Sequence, residues 1–424
     1  MQPQVRVGLA PLTRCAFQGQ SLSGVRAQLL LEFKRNPGNA AALMDVAVID
    51  QLEGDTDAGL AIQSQALETC RTYRSFRETA AGKTLLVLAA PIQMGGNTPV
   101  DFLLERSDFN VLTHFVDPVN PTSADLPGHD VVFVAAPGDS DDCRQFLDGI
   151  EAITDSIEKP VVNAPENIAR LERDVLHSLL CTSPGIRVPT IKRFSRNVLE
   201  LASAVDMHRT VLEQVGDFPL VIRPVGSHAG LGLEKLNSAN DLSNYLRNWT
   251  NPEFFVSEYI DYTSAHDDKF RKYRVILVGG KAFPCHMAIA DQWKVWYLNA
   301  DMQNDPQKRS EEAAFMDAFA TEFAARHANA FDSLYQKLGL DYFGVDCAED
   351  RDGNLVIFEA DNALLVHDMD PPDVFPYKLD HMHRLFDAVE AMLTRMSVPQ
   401  LPKPRNRRAT TKARPASTLK SNTG

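Results

Sequence analysis

The sequence predicts a mixed α/β and α+β chain: N-terminal helical hairpins, a small parallel-sheet α/β domain, then a longer stretch of paired strands and helices. Three observations predict it. Residues 36–72 carry apolar and small side chains at helical spacing. Residues 84–163 alternate short β-branched runs with helical stretches. From residue 218 onward the runs come in pairs, joined by turns rich in Gly or Asp. The chain of 424 residues has room for two to three domains, with expected bounds at 1–80, 81–165 and 166–398 and a tail at 399–424.

Taken in order, a first helix is expected over 21–34. Asn36-Pro37-Gly38-Asn39 then starts a helix running to Glu53, Gly54-Asp55 breaks it, and another runs over 56–72. Ala41, Val46, Ala47 and Ile49, then Ala58, Ala61, Ala66 and Leu67, fall on helical faces, with small residues where helices cross closely. The unit of about 34 residues from Asn36 resembles a tetratricopeptide repeat. A peptide-binding groove and a plain helical hairpin docked on the next domain account for it equally. Strands at 84–89, 111–116, 131–135 and 160–163, with a helix over 142–157, imply a parallel sheet with right-handed crossovers. The Pro91-Ile92-Gln93-Met94-Gly95-Gly96 loop follows the first of these strands, where ligands meet such sheets.

Next come strand, loop and strand: Pro219-Leu220-Val221-Ile222-Arg223-Pro224, a loop holding Gly226, Ser227, His228, Gly230 and Gly232, and Leu233-Glu234-Lys235-Leu236. The glycines permit positive φ and close backbone approach, so the loop's N–H groups can turn toward phosphate oxygens. It lacks the Gly-Lys-Ser/Thr of a Walker A loop, and no helix opens after it as a dinucleotide fingerprint requires. A strand ending Glu258-Tyr259-Ile260 follows, then a polar segment over 261–272 and a strand over 273–278 containing Arg274. His228 and His286 are candidate substrate contacts. Residues 285–299, with Trp293 and Trp296, read as strand and loop near an acceptor pocket, although core packing explains both Trp nearly as well.

Three acids close the series. Leu355-Val356-Ile357-Phe358 after the turn residues Arg351-Asp352-Gly353-Asn354 reads as the second arm of a hairpin. Alternation puts Glu359 and Asp361 on one face, and a four-residue turn would put Asp346 opposite Glu359. Carboxylates so close repel one another unless a cation sits among them, and Mg2+ is a hard, oxygen-seeking ion commonly shared with phosphates.

The net charge of −13, with seven Lys or Arg and no acid in the last 25 residues, leaves an acidic body. Such a body disfavours non-specific nucleic-acid binding. The Pro-, Ser- and Arg-rich tail is expected to be disordered. Six scattered Cys with no CxxC pair support neither a zinc site nor a disulfide framework. With no signal peptide and only short apolar runs, no membrane is expected and the cytoplasm is the expected compartment.

In this order of parts, from about residue 84 to 390, the chain resembles the ATP-grasp superfamily, the fold of D-alanine–D-alanine ligase, glutathione synthetase and ribosomal-protein glutamate ligases. The resemblance implies a two-lobed ATP-grasp domain that binds ATP and Mg2+. By resemblance, Glu258-Tyr259-Ile260 would read the adenine edge, and Arg274 would contact phosphate or a forming acyl phosphate. Arg223 and Arg173, with Gly226, Ser227, His228, Gly230 and Gly232, would hold the triphosphate, and Asp346, Glu359 and Asp361 the metal. The family usually has Lys where Arg223 and Arg173 stand, and Asn where Asp361 stands. Arg keeps the charge and adds bidentate geometry. The implied activity is an ADP-producing carboxylate–amine ligase acting through an acyl phosphate. A kinase on the same fold and a degenerate nucleotide-sensing protein are the alternatives. The implied partners are a small-molecule carboxylate and an amine, with a peptide at the N-terminal helices and a homodimer as further options.

Overall fold

The computed structural model describes residues 3–75, 82–117, 119–123, 126–138, 141–204, 206–227 and 230–398. The expected tail and His228 lie outside these residues. Among the described residues no helix is long and apolar enough to cross a membrane.

The strands form three sheets. The first comprises β1 (Gln4–Val5), β2 (Thr72–Arg74), β3 (Thr84–Ala89), β4 (Asn110–Phe115), β5 (Val131–Val134) and β6 (Val161–Val162), in the order β1-β2-β4-β3-β5-β6. β3 runs parallel to both β4 and β5, and β5 parallel to β6. Covered on both faces, β3 buries Leu85, Leu86, Val87, Leu88 and Ala89. The N-terminal segment joins this sheet, because β2 pairs antiparallel with β4 and carries β1 on its outer edge. The expected helix over 56–72 therefore ends at Thr69, where the chain extends to make β2.

Four N-terminal helices, Leu9–Phe17, Ser23–Arg35, Ala40–Leu52 and Thr56–Thr69, pack beside that edge. The third is buried on every side from Ala40 to Gln51, as an all-round apolar helix must be. Asn39 and Asp55 cap the last two through the N–H groups of Ala42 and Ala58. Gly59 marks their crossing, where a Cβ would stand 2.7 Å from the Ala47 carbonyl oxygen. The first helix has no local sequence signal, since Gly8 precedes it without a side-chain cap. The carboxylate of Asp45 accepts instead from the N–H groups of Val7 (2.7 Å) and Gly8 (3.2 Å) and pairs with Arg6 at 3.0 Å.

After β7 (Ile186–Arg187), the second sheet comprises β8 (Ile191–Ser195), β9 (Leu220–Pro224), β10 (Glu234–Leu236) and β11 (Glu253–Glu258), in the antiparallel order β10-β9-β11-β8. It has its own core, around Phe194, Leu220, Ile222, Tyr245 and Phe254. The third comprises β12 (Phe270–Val278), β13 (Lys281–Ala290), β14 (Tyr342–Glu349) and β15 (Leu355–Asp361), in the order β13-β12-β14-β15-β7. One apolar cluster runs from Leu86 and Val134 of the first sheet to Val275, Phe343 and Leu355 of the third. The second sheet thus has a core separate from that of the other two sheets.

Candidate active site

Between the second and third sheets lies a cleft of about 1190 Å3. A site for one drug-sized ligand measures roughly 300–1,000 Å3, so this cleft exceeds what one such ligand needs.

Its floor is the β14–β15 hairpin. Asp350 organises the turn, its Oδ1 accepting from the N–H groups of Asp352 (3.0 Å) and Asn354 (2.9 Å), while Gly353 takes φ +81°. Glu349 pairs with Leu355, so the turn covers 350–354, one residue longer than the four-residue loop expected. Uncorrected, that would bring Phe358 opposite Asp346 and turn Glu359 away. A β-bulge restores the pairing: Cys347 faces Ile357 while Asp346 faces Glu359, leaving Phe358 as the extra residue. The expected facing of Asp346 and Glu359 holds, by two irregularities that cancel. Gly344 packs closely beside them, since a Cβ there would stand 2.7 Å from Ile276 Cδ1 and 2.8 Å from Leu364 Cδ1 and would push those side-chain ends aside.

Cations meet these acids from other elements. β12 sets Arg274 directly across from Asp346. Arg274 donates to both Asp346 oxygens, Nε at 2.8 Å and Nη2 at 3.1 Å, and Lys272 Nζ lies 2.7 Å from Oδ2. Arg173, which opens the helix Arg173–Leu180, donates to Glu359 Oε1 at 2.8 Å and to the carbonyl of the bulged Phe358 at 3.2 Å. Burial alone would raise the Asp346 pKa, but Arg274 and Lys272 outweigh it and hold the carboxyl well below the usual range. Burial likewise opposes ionisation of Glu359. Arg173, helped by Arg223 and Lys272, overcomes both that and the repulsion of Asp346. Both acids are therefore charged at neutral pH. Asp361 lines the same cleft, pairs across the hairpin with Gly344, and accepts from the Ala363 N–H at 2.9 Å. Among the described residues no three His, Cys, Asp or Glu side chains form a group able to hold a metal ion.

Lys272 was not among the expected site residues, having been placed in the polar segment before the strand. It stands two positions before Arg274, hence on the same strand face, and that alternation was the signal available.

The glycine-rich loop overhangs the floor. Gly226, Gly230 and Gly232 take φ values of 71°, 71° and 66°. At Gly232 a Cβ would lie 2.6 Å from Pro224 Cδ, so the loop closes only with glycine there. Arg223 reaches into this loop, its Nε donating to Ser227 Oγ at 3.1 Å and its Nη2 to the Ser227 carbonyl. Across the cleft, Lys294 Nζ donates to the Leu233 carbonyl at 3.1 Å.

At the inner end the Glu258 carboxylate pairs with Arg187 at 3.2 Å and accepts from the Thr190 N–H at 3.0 Å. The backbone N–H groups of Glu258 and Tyr259 donate to the carbonyls of Thr190 and Pro219. The Tyr259 ring lies under Lys235 Nζ, 3.7 Å from its centroid, and meets Trp293 edge-on. Ile260 is buried. Apolar Leu176, Val188, Ile191 and Val221 line the cleft. Leu231, Trp296 and Leu365 also line it yet are 61%, 47% and 45% exposed. His286 pairs across β12–β13 with Arg274 and packs on the Tyr297 ring at 4.7 Å. Burial, with Arg274 and Lys378 nearby, lowers its pKa well below the ordinary value, so it is neutral.

No family model and no curated protein matches the sequence. Among solved structures, the chain is similar to a RimK-domain ATP-grasp protein from Sphaerobacter thermophilus, at 13% identity and a TM-score of 0.43, covering 73% of this chain and 99% of that one. It is similar to D-alanine–D-alanine ligase from Bacillus anthracis complexed with ATP, at 14% identity and 0.43, covering 74% and 99%. It is also similar to the ATP-grasp ligase PsnB complexed with a precursor peptide and AMPPNP, at 14% and 0.41, covering 75% and 99%. At such low identities and TM-scores, the reading of function rests on the cleft itself.

Proposed function

We propose that the chain is an ATP- and Mg2+-dependent carboxylate–amine ligase of ATP-grasp type. One observation carries the reading: ionised Asp346 and Glu359 face each other in a cleft that also holds Lys272, Arg274, Arg173 and Arg223. The donors fit Mg2+, which binds one or two carboxylates and takes phosphate oxygens for the rest, so a closed cage of three acids is unnecessary. Asp346 and Glu359 would hold the ion, with Asp361 further along the same cleft wall, and the ion would supply neutralisation of phosphate charge there.

The chain's own groups do the positioning. Arg223, Arg173 and the amides of loop 226–232 bind the triphosphate, which gives Arg274 and Lys272 an anionic partner besides Asp346. The amides of Glu258 and Tyr259 are engaged within the fold, so an adenine edge would meet the carbonyls of this segment and the Ile260 N–H. A substrate carboxylate oxygen attacks the γ-phosphorus and ADP leaves. The amine nitrogen then attacks the acyl carbon, phosphate leaves, and the nitrogen loses a proton. Such transfers depend mainly on positioning and electrostatics. The exposed apolar rim of Leu231, Trp296 and Leu365 favours a substrate with an apolar side chain.

The test is ADP and phosphate release from Mg·ATP with pooled amino acids, small carboxylates and peptides, with products read by mass spectrometry. A product lighter by one water than its two substrates combined would establish the ligase. A phosphorylated product released without need of an amine would instead identify a kinase. One observation favours a nucleotide sensor: Arg173 and Arg223 already donate to Glu359 and Ser227. Tight ATP binding without turnover in any pool would move the weight to that reading, or to a missing peptide partner for the N-terminal helices.

A further inference from the structure

Two loops far apart in sequence wall the cleft beyond the acids. Residues 91–98, after β3, supply Gln93 and Gly95, and residues 362–370, after β15, supply Ala363, Leu364 and Leu365. The N-terminal helices hold both. Gln51 Oε1 accepts from the Met94 N–H at 2.6 Å, and Gln63 Nε2 donates to the Ile92 carbonyl at 3.3 Å. Both glutamines are buried, at 9% and 7% exposure, where a polar side chain needs a reason to be. Met94 packs onto the cluster around Val46 and Ile49.

The second loop is held by the first helix. Arg14 Nη2 donates to Asp368 Oδ1 at 2.9 Å and to Glu105 Oε2 at 2.6 Å. Ala10 packs with Phe102 and Met369, and the Phe17 ring lies 5.9 Å from that of His367. The loops are also joined to each other, since Thr98 Oγ1 donates to the Asn362 carbonyl at 2.8 Å. Arg223 makes its described contacts within the second sheet, Glu258 reaches Arg187 of β7 and Tyr259 reaches Trp293 after β13, and none of these contacts involves the N-terminal helices.

We propose that the N-terminal helices are a brace for the acceptor end of the cleft, with Gln51, Gln63 and Arg14 as positioning residues for loops 91–98 and 362–370. The name acceptor rests on the ligase reading; the brace rests on the contacts alone. Loops open locally at low cost unless tied down, and a misplacement of about 1 Å can cost roughly a hundredfold in rate.

The test uses the full-length chain with Gln51→Leu, Arg14→Ala and the conservative Arg14→Lys. Amide hydrogen exchange, the Kd for Mg·AMPPNP, and KM and kcat for whichever pooled amino acid or peptide supports ADP release would be measured. Loss of the tie should speed exchange about tenfold in 91–98 for Gln51→Leu and in 362–370 for Arg14→Ala. Arg14→Lys, which keeps the charge facing Asp368, should restore most of the protection. The Mg·AMPPNP Kd should stay within about twofold, and the acceptor KM should rise while the KM for ATP does not. Wild-type exchange in both loops, faster exchange spread over the whole chain, or a parallel loss of nucleotide binding would each overturn the brace. Loosened loops in a protein that releases no ADP with any pool would uphold the brace and sink the ligase reading.

Discussion

The floor of the cleft and the loop above it hold phosphate-binding chemistry in opposite ways. On the floor, Asp346 is 3% exposed and meets two cations from β12, while Glu359 meets a third from the helix Arg173–Leu180. Each charge there is matched by a partner far away in the chain. In the overhanging loop three glycines at positive φ do the shaping, and Arg223 is satisfied by Ser227, four residues on. The floor is built into the core of the molecule, whereas the loop is shaped mainly by its own residues, tied from outside by Tyr245 at the Gly232 carbonyl and Lys294 at that of Leu233. Changes to the floor should therefore cost both fold and function, and changes to the loop mainly function.

The sharpest way to break that contrast is Asp346→Ala. It would leave Arg274 and Lys272 facing the cleft without their carboxylate, and their side chains are only 18% and 22% exposed. Removing one member of a buried pair costs about 3–5 kcal/mol, and the residual exposure puts this case near 3. Urea denaturation should show that loss alongside abolished turnover; full stability would mean the floor is not charge-locked. Glu359→Ala comes second. It should abolish Mg·ATP turnover while the circular dichroism of the folded protein persists, and normal turnover would remove Glu359 from the metal site.

Arg223 tests the other side. Arg223→Ala should weaken Mg·ATP binding by about tenfold with a stability loss of about 1 kcal/mol, well under that of Asp346→Ala, and Arg223→Lys should retain more affinity. Equal affinity in all three proteins would take Arg223 out of the phosphate role.

The smallest effect expected is that of acid. Asp346 and Glu359 have folded-state pKa values below their ordinary ones, so each is stabilising above the ordinary carboxylate range. That stability is lost as pH falls through the folded values. Loop 226–232 contains no acid and adds nothing to this slope. The wild type should thus lose stability on acidification below about pH 4 more steeply than Asp346→Asn. Identical slopes would show that the cations do not depress Asp346.

Much of this was legible from residue order. Short apolar runs marked β3, β5 and β15, and Gly344 and Asp346 stood in a strand whose partner carried Glu359 and Asp361. The facing of Asp346 and Glu359 was read through a turn of the wrong length, and it holds only because Phe358 bulges out. The first helix, Leu9–Phe17, has no local signal because the N–H groups entering it are satisfied by distant acids, Gly8 by Asp45 and Leu9 by Asp101. The contact of Arg173 with Glu359 has no local signal for the same reason, since 186 positions separate Arg173 from its acid, whereas Lys272 carried one in its alternation with Arg274.

What the sequence by itself determined were features whose physics closes within a few residues: strand alternation, the Asp350 turn, caps at Asn39 and Asp55, and the positive-φ glycine of that turn, Gly353. Tertiary structure decided which charges meet, which loops are held and by what. It drew β1 and β2 into the sheet and set Gln51 and Arg14 against loops of the cleft. Those choices come from packing between distant segments, where burial makes an unmatched charge or amide costly enough to select its partner.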